Sequence, residues 1–124
     1  MKKIFTLLAL IISFSMNAQM DDNSIGTSAT GANAVAMGMG TTASGSISTA
    51  MGNGTEATGS RSTAMGSGTL ASGNNSTAMG YQTTASGHKT TAMGAQTIAS
   101  DYASLVIGQF NSSGSSVTNN ATSY

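Results

Sequence analysis

Ser48-Thr49-Ala50-Met51-Gly52, STAMG, returns at Ser62–Gly66 and Ser76–Gly80, and with one change as TTAMG at Thr90–Gly94. The interval is fourteen residues each time. A fixed period of this kind belongs to stacked architectures, where each repeat is one small unit resting on the next. The register extends in both directions. Met37, Met51, Met65, Met79 and Met93 form one row, continued by Ile107. Gly38, Gly52, Gly66, Gly80, Gly94 and Gly108 follow them. Ala36, Ala50, Ala64, Ala78 and Ala92 precede them, and Val106 ends that row. A second block runs in parallel, with Thr41, Thr55, Thr69, Thr83 and Thr97, then Ala43, Ala57, Ala71, Ala85 and Ala99.

Each period therefore holds two short blocks separated by Gly, Asn and Ser. A helix is a poor solution, because each interior glycine costs about 1 kcal/mol against alanine. Short Thr-rich blocks bounded by turn residues are strand chemistry. The fold class that follows is all-β: a parallel β-solenoid of about six 14-residue coils, two short strands per coil. Its coils stack about 4.8 Å apart, so identical residues form ladders. The row Gly38 to Gly108 is expected to supply turn glycines, since glycine takes positive φ without penalty.

Alternation along a strand puts Thr49 and Met51 on one face, Ser48 and Ala50 on the other. Likewise Thr55 and Ala57 share a face, and Glu56 points away. The Glu56 row also holds Thr42, Leu70, Thr84 and Ile98, and such variety suits solvent. The Met row, Met37 to Met93 with Ile107, is expected to be the core ladder. So thin a coil encloses little. Burying one Met is worth about 1.5–3 kcal/mol, against about 1–2 kcal/mol to order each residue's backbone. The small-residue stripe Ala36, Ala50, Ala64, Ala78 and Ala92 is therefore expected to pack against other copies of the chain.

The 124 residues include no Cys, Pro or Trp. Lys2, Lys3 and the apolar run Ile4–Phe14 resemble a secretory signal peptide, with cleavage expected after Ala18. That leaves Arg61 and Lys89 against Asp21, Asp22, Glu56 and Asp101. So weak a balance argues against nucleic acid and against a basic membrane-surface patch. The domain plan is 1–18 signal peptide, 19–26 N-terminal segment, 27–111 stacked repeats and 112–124 a polar tail expected to be disordered. No membrane anchor is expected in this chain. Leu105, Val106, Ile107 and Phe110 are expected to seal the last coil.

NAVAMG at Asn33–Gly38 and NSTAMG at Asn75–Gly80 resemble the NSVAIG repeat of the YadA-like head of trimeric autotransporter adhesins. ASG at Ala43–Gly45, Ala71–Gly73 and Ala85–Gly87 resembles that family's second half-repeat. The resemblance implies a left-handed parallel β-roll that assembles as a homotrimer, here with the Ala36–Ala92 stripe as its interface. It further implies a secreted or bacterial cell-surface location, associated with the outer membrane, and a role in binding extracellular matrix, other cells or surfaces. Met stands where the family usually has Ile, and Thr where it usually has Val.

Chemistry-bearing motifs are sparse. GMGTTA from Gly38, GNGTEA from Gly52 and GSGTLA from Gly66 match a dinucleotide fingerprint in form, but no helix follows them. His88 stands without further metal ligands and is expected in a solvated corner. The Asp and Glu residues are scattered, so neither a paired-carboxylate site nor a nucleophile–base pair is indicated. No enzyme activity, cofactor or metal site is expected. Two alternatives compete with the adhesin reading. A secreted ice-binding solenoid would use the Thr41–Thr97 row, although alternation turns that row inward. A low-complexity spacer is the other, although a spacer has no use for Met at every fourteenth residue.

Overall fold

Two parallel sheets, wound coil upon coil, carry the whole repeat. The computed structural model describes residues 25–113, together with the backbone of Met20 and Asp21. The expected signal peptide and the tail beyond Ser113 lie outside the described residues. Among those described there are thirteen strands and no helix. The long-strand sheet contains β1 (Met20–Asp21), β3 (Val35–Met39), β5 (Thr49–Asn53), β7 (Thr63–Ser67), β9 (Thr77–Tyr81), β11 (Thr91–Ala95) and β13 (Leu105–Gln109), stacked in that order. The short-strand sheet stacks β2 (Ser28–Ala29), β4 (Thr42–Ala43), β6 (Glu56–Ala57), β8 (Leu70–Ala71), β10 (Thr84–Ala85) and β12 (Ile98–Ala99).

The register is the sequence period made physical. Ala50 pairs with Ala64, Met51 with Met65 and Gly52 with Gly66, while Ala57 pairs with Ala71. Backbone hydrogen bonds run from coil to coil. The Thr63 N–H donates to the Ser76 carbonyl, and the Leu70 N–H to that of Thr83, both at 2.9 Å. The corners are bonded too: Gly54 N–H donates to Met39 O and Arg61 N–H to Ser46 O, each at 2.8 Å. Backbone amides thus find partners through sheet and corner alike, which a coil this thin requires.

The interior reverses one expectation. Ala36, Ala50, Ala64, Ala78 and Ala92 are 0% exposed within the single chain, packed with Ala43, Ala57, Ala71, Ala85 and Ala99. They cannot be the face offered to other copies. Met37, Met51, Met65, Met79 and Met93 point outward instead, as does Ile107, which is 59% exposed. The Met row is therefore not the core ladder. The reason is space: two sheets joined by corners of a few residues lie too close for a Met between them. Only Ala, Ser, Thr and Gly fit. Hydrophobicity alone assigns Met to the inside; the geometry of a fourteen-residue coil overrides it.

The second block follows expectation, with Thr55 and Ala57 buried and Glu56 exposed. The whole row Thr41, Thr55, Thr69, Thr83 and Thr97 is interior, so it offers nothing to ice. Its hydroxyls have no hydrogen-bond partner, and neither do those of Ser48, Ser62 and Ser76 on the facing wall. Thr90 is the exception in its row, donating to the Gly87 carbonyl at 2.8 Å. An orphaned buried hydroxyl costs about 1–3 kcal/mol, and a shape-matched apolar group avoids that cost. Thr69→Val is accordingly expected to stabilise the roll by about 1 kcal/mol, read as a rise in thermal midpoint by far-ultraviolet circular dichroism. A fall in the midpoint would mean that the hydroxyl is bonded in solution.

The six glycines from Gly38 to Gly108 do take positive φ, between 115° and 123°. They are not corner residues, however. Each lies inside a long strand, next to its last residue. A Cβ on Gly66 would sit 2.0 Å from the Gly80 carbonyl oxygen, and the same contact recurs along the column from Gly38 to Gly94. These glycines let one coil lie directly on the next. Gly45, Gly59 and Gly73 do the same at the end of the short-strand block, where a Cβ would fall 1.8–2.1 Å from the next glycine's oxygen. Asp101 takes that position in the sixth coil. There the Ser113 hydroxyl receives the backbone N–H, at 3.2 Å, where in other coils an alanine carbonyl does, as Ala71 O does for Gly59 N–H at 3.1 Å.

Both ends of the roll extend past the expected boundaries. Met20–Asp21, placed in an outer N-terminal segment, pairs with Val35–Ala36 as the first strand. Ser112 bridges to Ile98, and Ser113 N–H donates to the Ile98 carbonyl at 2.8 Å. Of the four residues expected to seal the last coil, only Val106 turns inward, at 8% exposure. Leu105, Ile107 and Phe110 are exposed.

Candidate functional site

With its interior filled by small side chains, the roll has only its outside to act with. Three outer surfaces differ in chemistry: the face of the long-strand sheet, the face of the short-strand sheet and the corners between them.

The long-strand face follows from alternation in Thr49–Asn53 and its equivalents. Ala50 turns in, so Thr49 and Met51 turn out. Stacking repeats this pair coil by coil, giving parallel ladders of Thr49, Thr63, Thr77 and Thr91 and of Met51, Met65, Met79 and Met93, all half-buried. Val35, Leu105 and Ile107 extend the same rows. The result is a flat, largely apolar face with no formal charge on these rows. Contiguous apolar surface of this kind marks an interaction site on a soluble protein. Met is well suited to it, since its thioether adapts to an irregular neighbour.

The short-strand face is more polar. Its outward row mixes Thr42, Glu56, Leu70, Thr84 and Ile98. The flanking row Thr30, Ser44, Thr58, Ser72, Ser86 and Ser100 is an unbroken exposed line of hydroxyls.

At the corner before each long strand, one residue per coil takes left-handed φ without being glycine. These are Asn33, Ile47, Arg61, Asn75, Lys89 and Ala103, at 55–60°. Asn suits that conformation, but β-branched Ile does not. The Asn residues at 33 and 75 are the sequence signal for this corner, one the strand-based reading passes over. Replacing Ile47 by Asn is expected to stabilise the roll by about 1 kcal/mol. A chemical-denaturation midpoint, read against Asn75→Ile as the reverse exchange, checks it.

His88 lies at this corner, exposed as expected, with its ring stacked on Tyr102 at 5.7 Å between centroids. The Lys89 Nζ donates to Tyr102 Oη at 2.9 Å. Among the described residues no group of three or more His, Cys, Asp or Glu side chains could hold a metal ion, and no helix is long and apolar enough to cross a membrane.

Of the residues singled out in the sequence, the structure gathers the Met row and Ile107 into one outer face. It gathers the Ala row into the core, and it sets the six glycines between coils. A model of the YadA head domain repeat, two copies long, matches the chain in six overlapping windows: residues 25–41, 29–55, 43–69, 57–83, 71–97 and 85–111. Those windows cover the solenoid from its first corner to its last strand. No curated protein and no solved structure matches the chain significantly.

Proposed function

From the premise that this chain belongs to the YadA head domain family, we propose that it is an adhesin head that trimerises through its Met face. The surface of a bacterial cell is its proposed place of work. The observation that carries the trimer is the Thr49–Met51 face. Four coils repeat the Thr–Met pair outward, and Val35 with Met37 and Leu105 with Ile107 continue it at the two ends, while every small residue that was a rival interface is already buried. Three such faces meeting about one axis form a second core, built from Met and Thr, that the single roll lacks. Obligate interfaces are apolar in this way, resembling a domain core cut open.

Trimerisation also answers the energetic problem of a thin roll. A coil whose own interior is Ala, Ser and Thr buries little apolar area. Met and Thr buried between chains add the missing part. The corners and the short-strand face then remain outermost, in three copies. Repetition along the rod and around the axis multiplies weak contacts into avidity, which is how a surface without any pocket can hold matrix or another cell.

Beads coated with the purified chain test this. They are expected to cling to immobilised matrix proteins or to cell layers, and to release when the oligomer is broken by substitutions on the Met face. Beads that cling to no matrix or cell surface would refute the adhesive role.

A further inference from the structure

Repetition makes the exceptions conspicuous. Along most rows the six coils carry the same or similar residues. At the corner joining the short-strand sheet to the long-strand sheet they do not. Residues 32–33, 46–47, 60–61, 74–75, 88–89 and 102–103 read Ala-Asn, Ser-Ile, Ser-Arg, Asn-Asn, His-Lys and Tyr-Ala. They stack as one ridge along the rod, held by Asn75 N–H to Ser60 O and Lys89 N–H to Asn74 O, at 2.8 and 2.9 Å.

Resting on the adhesin reading above, we infer that the ridge from Arg61 to Tyr102 binds an extended acidic polysaccharide lying along the rod. Arg61 and Lys89 are the two cationic Lys or Arg side chains among the described residues. Both fall on this ridge, two coils apart, at roughly 10 Å by the strand spacing. A polysaccharide with an acid group on alternate sugars presents negative charge at a comparable interval. Asn74 and Asn75 lie between the two cations, and amides serve sugar hydroxyls as both donor and acceptor. The Asn74 Oδ1 accepts from the Ser60 N–H at 3.1 Å, which anchors that side chain along the ridge.

Beyond Lys89, the stacked His88 and Tyr102 rings, tilted by 6°, make an aromatic end to the strip. Beside it run the exposed hydroxyls of Thr58, Ser72 and Ser86. Charge, amide, aromatic and hydroxyl groups in one line are carbohydrate-recognising chemistry. Asp101 is exposed in the last coil, so the cationic stretch is bounded at Lys89. Two cations that far apart do not match a chain bearing a phosphate on every nucleotide.

Arg61 and Lys89 are held at φ 56° and 60°, where Asn33 and Asn75 fill the equivalent position in other coils. Ile47 and Ala103 hold the same φ, so the corner sets this conformation in every coil and Asn is the residue that suits it.

That exchange also supplies the test. Arg61→Asn with Lys89→Asn removes both charges and installs a residue the corner already accepts. The purified chain and this double variant are passed over immobilised hyaluronan, which carries a carboxylate on every second sugar, neutral dextran and a single-stranded oligonucleotide, with light scattering and circular dichroism on each protein. The expected result is hyaluronan binding that weakens with salt, little binding to dextran or oligonucleotide, and about a tenfold loss in the variant with mass and spectrum unchanged. Absent hyaluronan binding, equal binding by the variant, or equal binding of the oligonucleotide would overturn the inference. If beads of the same preparation still cling to matrix protein in those cases, the adhesin reading stands without it. Beads that cling to nothing would remove both.

Discussion

Gly66→Ala is expected to destabilise the roll by about 4 kcal/mol or more, the range reserved for backbone strain and core disruption. The added Cβ would lie 2.0 Å from the Gly80 carbonyl oxygen, in a backbone held at φ 120°. Neither atom can give way alone. The oxygen belongs to the next coil, whose own glycine is in the same position over Gly94. Relief therefore means parting the coils and losing the ladder between β7 and β9. Gly54 is the control, two residues after an equivalent glycine. Its φ is also positive, at 59°, but an added Cβ meets nothing within 4 Å. Gly54→Ala is expected to cost about 1 kcal/mol. The same corner already carries Gln82 and Gln96 at φ 50° and 54°. Thermal melts of both variants at one protein concentration read the difference. Equal losses would mean that the coils are not in direct contact at Gly66.

The second large effect is on assembly. Met65→Lys with Met79→Lys is expected to convert the trimer to single chains while the β spectrum persists. Both side chains point out of their own roll, so the lysines meet water in the single chain. In the trimer they would be buried without counter-charges, at several kcal/mol each. Ser72→Lys, on the exposed hydroxyl row, is the matched control and is expected to leave the mass unchanged. Loss of β structure together with the trimer would mean that the single roll does not stand without the Met contacts between chains. A trimer that survives both lysines would place the interface elsewhere.

Much of this architecture is legible in the sequence, because a period is a geometric statement. The spacing of Met51, Met65 and Met79 gives the coil length. The Thr and Gly content gives strands, and alternation correctly turns Thr55 and Ala57 inward and Glu56 outward. What alternation cannot supply is which of two faces is inside. For the long strand, size opposed hydrophobicity, and size prevailed: Ala64 fits between the sheets and Met65 does not. A signal for this exists in the rows themselves. The outward Thr row accepts Val35 and Leu105, whereas the inward row holds Ala from Ala36 to Ala92 and enlarges only at Val106.

The glycines posed a similar ambiguity. Gly52 and Gly54 belong to one GNG triplet, yet the first spaces the coils and the second turns a corner. Only the position of the neighbouring backbone separates them. The ridge was the least legible part. Arg61, His88 and Lys89 look like scattered polar residues until stacking brings them into one line.

The central claim is that the Ala rows fill the roll and the Met face joins three of them. Light scattering on purified residues 19–124 after gel filtration tests it most directly, with circular dichroism on the same peak. One β-rich species of three chain masses is the expected result. A β-rich species at a single chain mass would contradict it.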